Sequence, residues 1–231
     1  MHLLRLPAGC PAAIEVHRLD IDTRVGGAAV TRLLTQPERE RTRRLHRADD
    51  RARFAQTRAA LRCLLAARLH CAPLEVPIAV DARGKPFLAN VGGAPLFNVS
   101  HSGRHALIAM AAPGCVGQLG VDIEQCRTHD DLPALVDLVF SPREIEALRS
   151  EDDAVRGFHL RWTGKEAVLK AIGLGIADHL RSVGIHPGAD GRLEVDCTIP
   201  GWQDRGLQAI VLDSPSGHAA ALAWSPATKG P

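Results

Sequence analysis

No tyrosine occurs anywhere in the 231 residues, and the chain carries only five phenylalanines and three tryptophans. Stacking platforms for single-stranded nucleic acid need aromatic rings at intervals, so the shortage argues against that class. The six cysteines (10, 63, 71, 115, 126 and 197) never form a C-x-x-C, which removes zinc ribbons and dithiol redox motifs. An even number of scattered cysteines suits reduced, buried or half-buried thiols in a cytoplasmic protein. No stretch approaches the ~18 apolar residues of a membrane helix. The L-P-A-G-C near the start leaves no room before Cys10 for a charged region and an apolar core, so lipoprotein processing is not expected. A G-x-S-x-G elbow is also missing, which weighs against a serine hydrolase. With a formal net charge of only +2, the whole chain exerts no strong pull on nucleic acid or membrane.

The charge that is there is unevenly placed. Arginines stand at 39, 41, 43, 44, 47, 51, 53 and 58, a local basic surface suited to a small polyanion. Residues 11–22 alternate apolar and polar side chains, as a strand does. From about Thr35 to His70 the pattern is helical, with Thr35 and Pro37 near its start. Phe54, Leu61, Leu64, Leu65 and Leu69 share its apolar face, and the arginines are expected on the other. Strands are expected in 76–88 around a turn at Arg83–Pro86, then at 96–101, 105–111 and 118–125. Helices follow over 130–139, after F-S-P-R-E, and over about 154–172, the last ended by Gly173 and Gly175. Four further strands complete the chain. The order predicts an α+β protein of two halves, 1–111 and 112–231, each packing a long helix on a small antiparallel sheet.

Three constellations carry chemistry. In G-V-D-I-E-Q, Asp122 and Glu124 project to one face of a strand while Val121 and Ile123 face the core. Two adjacent carboxylates repel unless a cation sits between them, and hard oxygen donors suit Mg²⁺. An exposed edge of a half-buried strand is the plainer alternative. In R-W-T-G-K-E-A-V-L-K, Glu166 and Lys170 lie four apart on one helix face. They are either a surface ion pair worth well under ~1 kcal/mol or, with Lys165, a site that handles metal and phosphate together. The third stretch, 84–103, sets Lys85 in a tight turn and closes a strand with Ser100-His101-Ser102. Adjacent Ser and His point to opposite faces, so they form no catalytic pair. Both a structural histidine and a phosphate contact remain open for His101.

Taken in order, Gly84-Lys85-Pro86, Phe97-Asn98-Val99-Ser100-His101-Ser102, Gly120-Val121-Asp122-Ile123-Glu124, Phe140-Ser141-Pro142-Arg143-Glu144 and the Trp162–Lys170 stretch resemble the 4′-phosphopantetheinyl transferases of the larger, pseudo-dimeric, surfactin-synthetase-activating (Sfp) type. The resemblance spans 84–170, and the arginine-rich helix extends it back to about Pro37. It implies two similar halves related by a pseudo-twofold in one monomeric chain, with the active site between them. It implies transfer of the phosphopantetheine arm of coenzyme A to a serine of an apo acyl or peptidyl carrier protein, releasing adenosine 3′,5′-bisphosphate. The pathways implied are fatty-acid, polyketide and nonribosomal peptide synthesis. Asp122, Glu124 and Glu166 would hold Mg²⁺, with Mn²⁺ as a substitute. Glu166 would be the favoured base and Glu144 the alternative. Lys165 would clamp the pyrophosphate with Lys170 close by, and Lys85, Ser100, His101, Arg41 and Arg53 would meet the nucleotide end. An apolar face of 125–140, with Leu132, Leu135, Leu138, Val139 and Phe140, would meet the carrier. A non-catalytic coenzyme A-binding relative and a metal-dependent phosphohydrolase are the competing readings; the first would be expected to lack one of the acids or Lys165, and the second needs more ligands.

Overall fold

The computed structural model describes residues 1–23, 27–128, 131–175 and 179–227. In chain order the strands are β1 (His2–Leu3), β2 (Ile14–Asp20), β3 (Ile78–Val80), β4 (Pro86–Leu88), β5 (Leu96–Ser102), β6 (His105–Ala111), β7 (Val116–Gln125), β8 (Val183–Pro187), β9 (Arg192–Cys197), β10 (Gln208–Val211) and β11 (His218–Pro226). The helices are α1 (Ala28–Arg32), α2 (Gln36–Arg44), α3 (Ala48–Leu69), α4 (Leu132–Val139), α5 (Pro142–Arg149) and α6 (Ala154–Ile172). The fold is α+β. Residue 130, where the α4 pattern was expected to begin, lies outside the described residues.

Two antiparallel sheets form the body: β1-β2-β6-β5, and β7-β11-β10-β9-β8. All strands of the first come from residues 2–111 and all strands of the second from 116–226. Their connectivity matches. In each, the strand before the helices (β2 or β7) leads to a long helix (α3 or α6), and the last strand of the sheet (β6 or β11) returns antiparallel beside it. A β3–β4 hairpin stands apart, closed at Gly84, whose φ of +82° suits a residue without a Cβ.

The layering follows from alternation along these last strands. Leu107, Ala109 and Ala111 meet Val121, Ile123, Ala220 and Leu222 in a core between the sheets. Ala106, Ile108 and Met110 face the other way, onto Leu61 and Leu65 of α3. Ala221 and Ala223 likewise meet Ala167 and Leu169 of α6. Because β6 and β11 are covered on both faces, they read as near-continuous apolar runs rather than alternating ones.

The expected single helical stretch over 35–70 is two helices. Thr35 and Glu38 form a reciprocal capping box at the start of α2, and the chain leaves helical geometry at Leu45, which is extended at φ −72°, ψ 127°. Nor do all the arginines face solvent. Arg58 and Arg62 are buried, and Arg62 donates to both carboxylate oxygens of Glu38 at 2.8 and 2.9 Å and to the carbonyls of Pro73 and Val76. Glu38 supplies the countercharge from a separate helix, so periodicity along α3 alone could not reveal it. All six cysteines are free, and Cys63 is exposed rather than half-buried. Among the described residues, no helix is long and apolar enough to cross a membrane.

Candidate active site

The seam between the sheets is built by a polar ladder. Asn98, Ser100 and Ser102 alternate along β5 on the face turned to β7, whose outer edge would otherwise present bare N–H groups. Val121 N–H donates to Asn98 Oδ1 at 3.0 Å, Ile123 N–H to Ser100 Oγ at 3.4 Å and Gln125 N–H to Ser102 Oγ at 3.0 Å. An unpaired buried N–H costs about 1–3 kcal/mol, so this ladder both docks the halves and fixes their register. On the opposite side, Gly120 lets α6 cross β7 closely: a Cβ there would fall 2.0 Å from the Ala167 carbonyl oxygen. That close approach brings Glu166 of α6 to Asp122 and Glu124 of β7. One ligand oxygen from each of the three lies within 4.8 Å of the others, the one such group of three potential metal ligands among the described residues.

Electrostatics at this point are strained by design of the fold. Asp122 is fully buried and its Oδ2 has no hydrogen-bond partner. Its Oδ1 accepts from Ser100 Oγ at 2.7 Å and from Lys170 Nζ at 2.5 Å. Burial pushes the Glu166 carboxyl up to about 8, and the charges of Asp122 and Glu124 add to that push against Lys170. Burial and the neighbouring Asp122 charge also raise Glu124. For Lys170, burial alone would lower the ammonium pKa, but Asp122 and Glu166 reverse the sign and raise it. Three crowded carboxylates with one orphaned oxygen are a donor set that fits a hard divalent cation. Lys170, 3.7 Å from Glu166 Oε2, offers only a single positive charge to them.

A cleft opens beside the acids in two lobes that share His101 and Glu124. The larger, about 610 Å³, runs past Arg53, Arg127 and Glu166 to an apolar end at Leu135, Phe158 and Trp162. The smaller, about 270 Å³, is lined by Arg41, Phe54, Arg58, Gly84 and Lys170. Arg41 and Arg58 both stack on the Phe54 ring, at 5.1 and 5.5 Å from its centroid. Ser100 reaches the second lobe as well. His101 is exposed, yet the desolvation that its protein neighbours impose lowers its imidazole pKa, and the charges of Arg53 and Lys170 act in the same direction. Lys85, between the lining residues Gly84 and Pro86, donates to the Lys170 carbonyl at 2.5 Å. Burial lowers its ammonium pKa, Asp81 opposes that, and Lys170 adds to it.

Two expected residues are elsewhere. Lys165 and Glu144 are both wholly buried and bonded to each other at 2.9 Å. Lys165 Nζ also donates to the carbonyls of Leu180, at 2.9 Å, and Val183. Glu144 takes the Ile185 N–H at 2.9 Å and caps α5 through the Ser141 N–H at 2.8 Å. The physical reason is rotational: Lys165 is one residue from Glu166, 100° round the helix, so a side chain on the acid-facing stripe excludes its neighbour. The structure thus gathers Asp122, Glu124, Glu166, Lys170, Ser100, His101, Arg41 and Arg53 in and beside the cleft, sets Lys85 against the Lys170 backbone next to it, and leaves Lys165 and Glu144 out. Phe54, Arg58 and Ser102 join the site though they were not expected there. A period-2 polar series at 98, 100 and 102 was the available signal for Ser102; nothing in the spacing marked Arg58.

The description "4′-phosphopantetheinyl transferase superfamily" matches residues 118–223, and "4′-phosphopantetheinyl transferase, N-terminal" matches 26–113. The 4′-phosphopantetheinyl transferase HetI of Nostoc sp. is 33% identical over 234 residues, covering 98% of this chain and 90% of that protein. The chain belongs to the 4′-phosphopantetheinyl transferase family. Members so named are enzymes. A putative 4′-phosphopantetheinyl transferase of Synechocystis sp. is 37% identical over 154 residues, 65% of this chain and 61% of that protein. The human L-aminoadipate-semialdehyde dehydrogenase-phosphopantetheinyl transferase is 30% identical over 162 residues, with 65% and 52% covered. Among solved structures, a holo-[acyl-carrier-protein] synthase of Neisseria meningitidis aligns with 48% of this chain and 98% of its own, at 20% identity and a TM-score of 0.42.

Proposed function

We propose that this chain, acting as an Sfp-type monomer in the cytoplasm, transfers the 4′-phosphopantetheine arm of coenzyme A to a serine of an apo acyl or peptidyl carrier protein and releases adenosine 3′,5′-bisphosphate. The observation that carries the reading is the convergence of Asp122, Glu124 and Glu166, with the orphaned Asp122 Oδ2, beside a cleft that also presents Arg41, Arg53, Arg58, Arg127 and Lys170. An acidic knot inside a basic cleft suits a pyrophosphate and its counter-ion better than either alone.

In this reading Asp122, Glu124 and Glu166 hold Mg²⁺ or Mn²⁺, which when bound supplies positive charge to the pyrophosphate oxygens where charge shifts during transfer. The smaller lobe takes the nucleotide end: Phe54, braced by Arg41 and Arg58, offers the base a ring face, while Ser100, His101 and Lys85 meet the phosphates there and Arg53 reaches them from the larger lobe. Lys170, already at the acids, moves its ammonium to the pyrophosphate and so fills the place expected of Lys165. Glu166, with its charge balanced, accepts the proton of the carrier serine. The serine Oγ–P bond forms as the bond from phosphorus to the departing adenosine bisphosphate breaks. Lys165 and Glu144 serve by anchoring α6 to α5 and β8.

The test is incubation with coenzyme A, Mg²⁺ and apo carrier proteins from fatty-acid, polyketide and peptide synthesis, followed by intact mass. Addition of one phosphopantetheine arm is expected on at least one carrier. No addition to any of the three classes refutes the proposal.

A further inference from the structure

Each of the three carboxylates has a neutral donor group beside it. Ser100 Oγ donates to Asp122 Oδ1, Ser102 Oγ donates to Glu124 Oε2 at 2.7 Å, and Trp162, whose only side-chain donor is the indole N–H, stands one turn before Glu166 on the same face of α6, both lining the larger lobe. Ser100 also borders the nucleotide lobe, so its role is divided. Ser102 and Trp162 are more selective, and their geometry is fixed from behind. A lone pair of Ser102 Oγ is held by the Gln125 N–H at 3.0 Å, which leaves its single proton for Glu124. The Trp162 ring stacks on Phe158, centroids 5.8 Å apart and planes 21° apart, so its N–H cannot wander.

From these contacts we infer that Ser102 and Trp162 are positioning residues for the divalent cation, setting the orientation of Glu124 and Glu166; the inference rests on the cation site proposed above. Each donor occupies one side of a carboxylate and turns the remaining lone pairs toward the cluster, where the fully buried Asp122 Oδ2 already lacks a partner. Because both donors are neutral, they orient the acids without cancelling the charge that binds the metal. Lys170 differs in this respect, since it contacts Asp122 and Glu166 with a charge of its own. Outer donors of this kind are worth about 10–100-fold in metal affinity.

The experiment is a calorimetric Mn²⁺ titration of the metal-free full chain, with and without coenzyme A, on wild type, Ser102→Ala, Ser102→Thr and Trp162→Phe. Trp162→Phe keeps a stacking ring and removes the N–H. Ser102→Ala and Trp162→Phe are each expected to weaken Mn²⁺ binding about 10–100-fold and to raise the Mg²⁺ concentration needed for half-maximal transfer. Ser102→Thr, which retains the hydroxyl, should restore affinity to within about 3-fold of wild type, the size of ordinary context effects. Wild-type Mn²⁺ affinity in both Ser102→Ala and Trp162→Phe overturns the inference, as does a Ser102→Thr as weak as Ser102→Ala. A wild type that binds no Mn²⁺ under either condition instead removes the cation site itself.

Discussion

Helix α6 carries two lysines five residues apart that meet opposite fates. Lys165 is buried without solvent contact, bound to Glu144 and two backbone carbonyls; Lys170 keeps 24% of its side chain exposed and contacts Asp122, Glu166 and Ser100. Burial lowers the ammonium pKa of Lys165 despite Glu144, whereas Asp122 and Glu166 raise that of Lys170 despite burial. Chemically identical groups on one helix therefore divide into an anchor and a cleft residue. Local surroundings decide the role; residue type and motif membership do not.

The sharpest way to break this contrast lies on the acidic side. Asp122→Ala or Glu166→Ala should lower the single-turnover rate of carrier loading by at least about 10²–10³-fold, the usual cost of removing a preorganised charge-handling group. Urea unfolding of the metal-free variants should occur no earlier than in wild type, because like-charge repulsion is relieved. A variant that loads carriers at the wild-type rate contradicts the assignment.

On the anchor side the effect moves from rate to stability. Lys165→Met leaves the Glu144 carboxylate buried and unpaired, so unfolding free energy should fall by about 3–5 kcal/mol. Adding Glu144→Gln, which keeps an acceptor for the Ile185 N–H but removes the charge, should recover more than half of that loss. The double variant should still load carriers. If it folds well yet loses transfer, Lys165 or Glu144 takes part in the chemistry and the contrast fails.

A third buried pair, Glu38 with Arg62, predicts a pH dependence. Burial would raise the Glu38 carboxyl, but hydrogen bonds from Arg62 and the Thr35 N–H outweigh it and hold the pKa below the ordinary value. A depressed folded-state pKa means that the contribution is fully present above the unfolded glutamate value of about 4.3 and disappears as pH falls through the folded one. Urea titrations at descending acid pH should show wild type losing stability more steeply than Glu38→Gln; equal slopes would refute the pairing. The smallest effect is expected at Leu138, 66% exposed on α4. Leu138→Ser should shift stability by less than about 0.5 kcal/mol while raising the KM for carrier protein, and an unchanged KM would argue against that face as the docking surface.

Much of this architecture is legible in the chain itself. Strands were expected at 96–101, 105–111 and 118–125, where β5, β6 and β7 stand, and Gly173, at φ +77°, ends α6 as its sequence position suggests. Strand alternation put Asp122 with Glu124 and helix spacing put Glu166 with Lys170; that Glu166 joins the two strand acids was implied by the family resemblance. What stayed hidden depends on partners distant in sequence. The α2–α3 break at 45–47 has no proline or glycine to announce it, and Arg62 enters the interior only because Glu38 arrives from another helix. Of the apolar residues expected on that face, Val139 and Phe140 are buried and Leu132 and Leu135 pack partly against the core, which leaves Leu138 facing out. Lys165 sits in the same short motif as Lys170. Only the 100° step from Glu166 distinguishes it, and motif matching passes over that step.

The most direct measurement is the number of Mn²⁺ ions bound per chain, by calorimetry in the presence of coenzyme A. One ion is predicted for wild type and for the Lys165→Met/Glu144→Gln double variant, and none for Asp122→Ala/Glu166→Ala. An ion retained after both acids are removed would contradict the account.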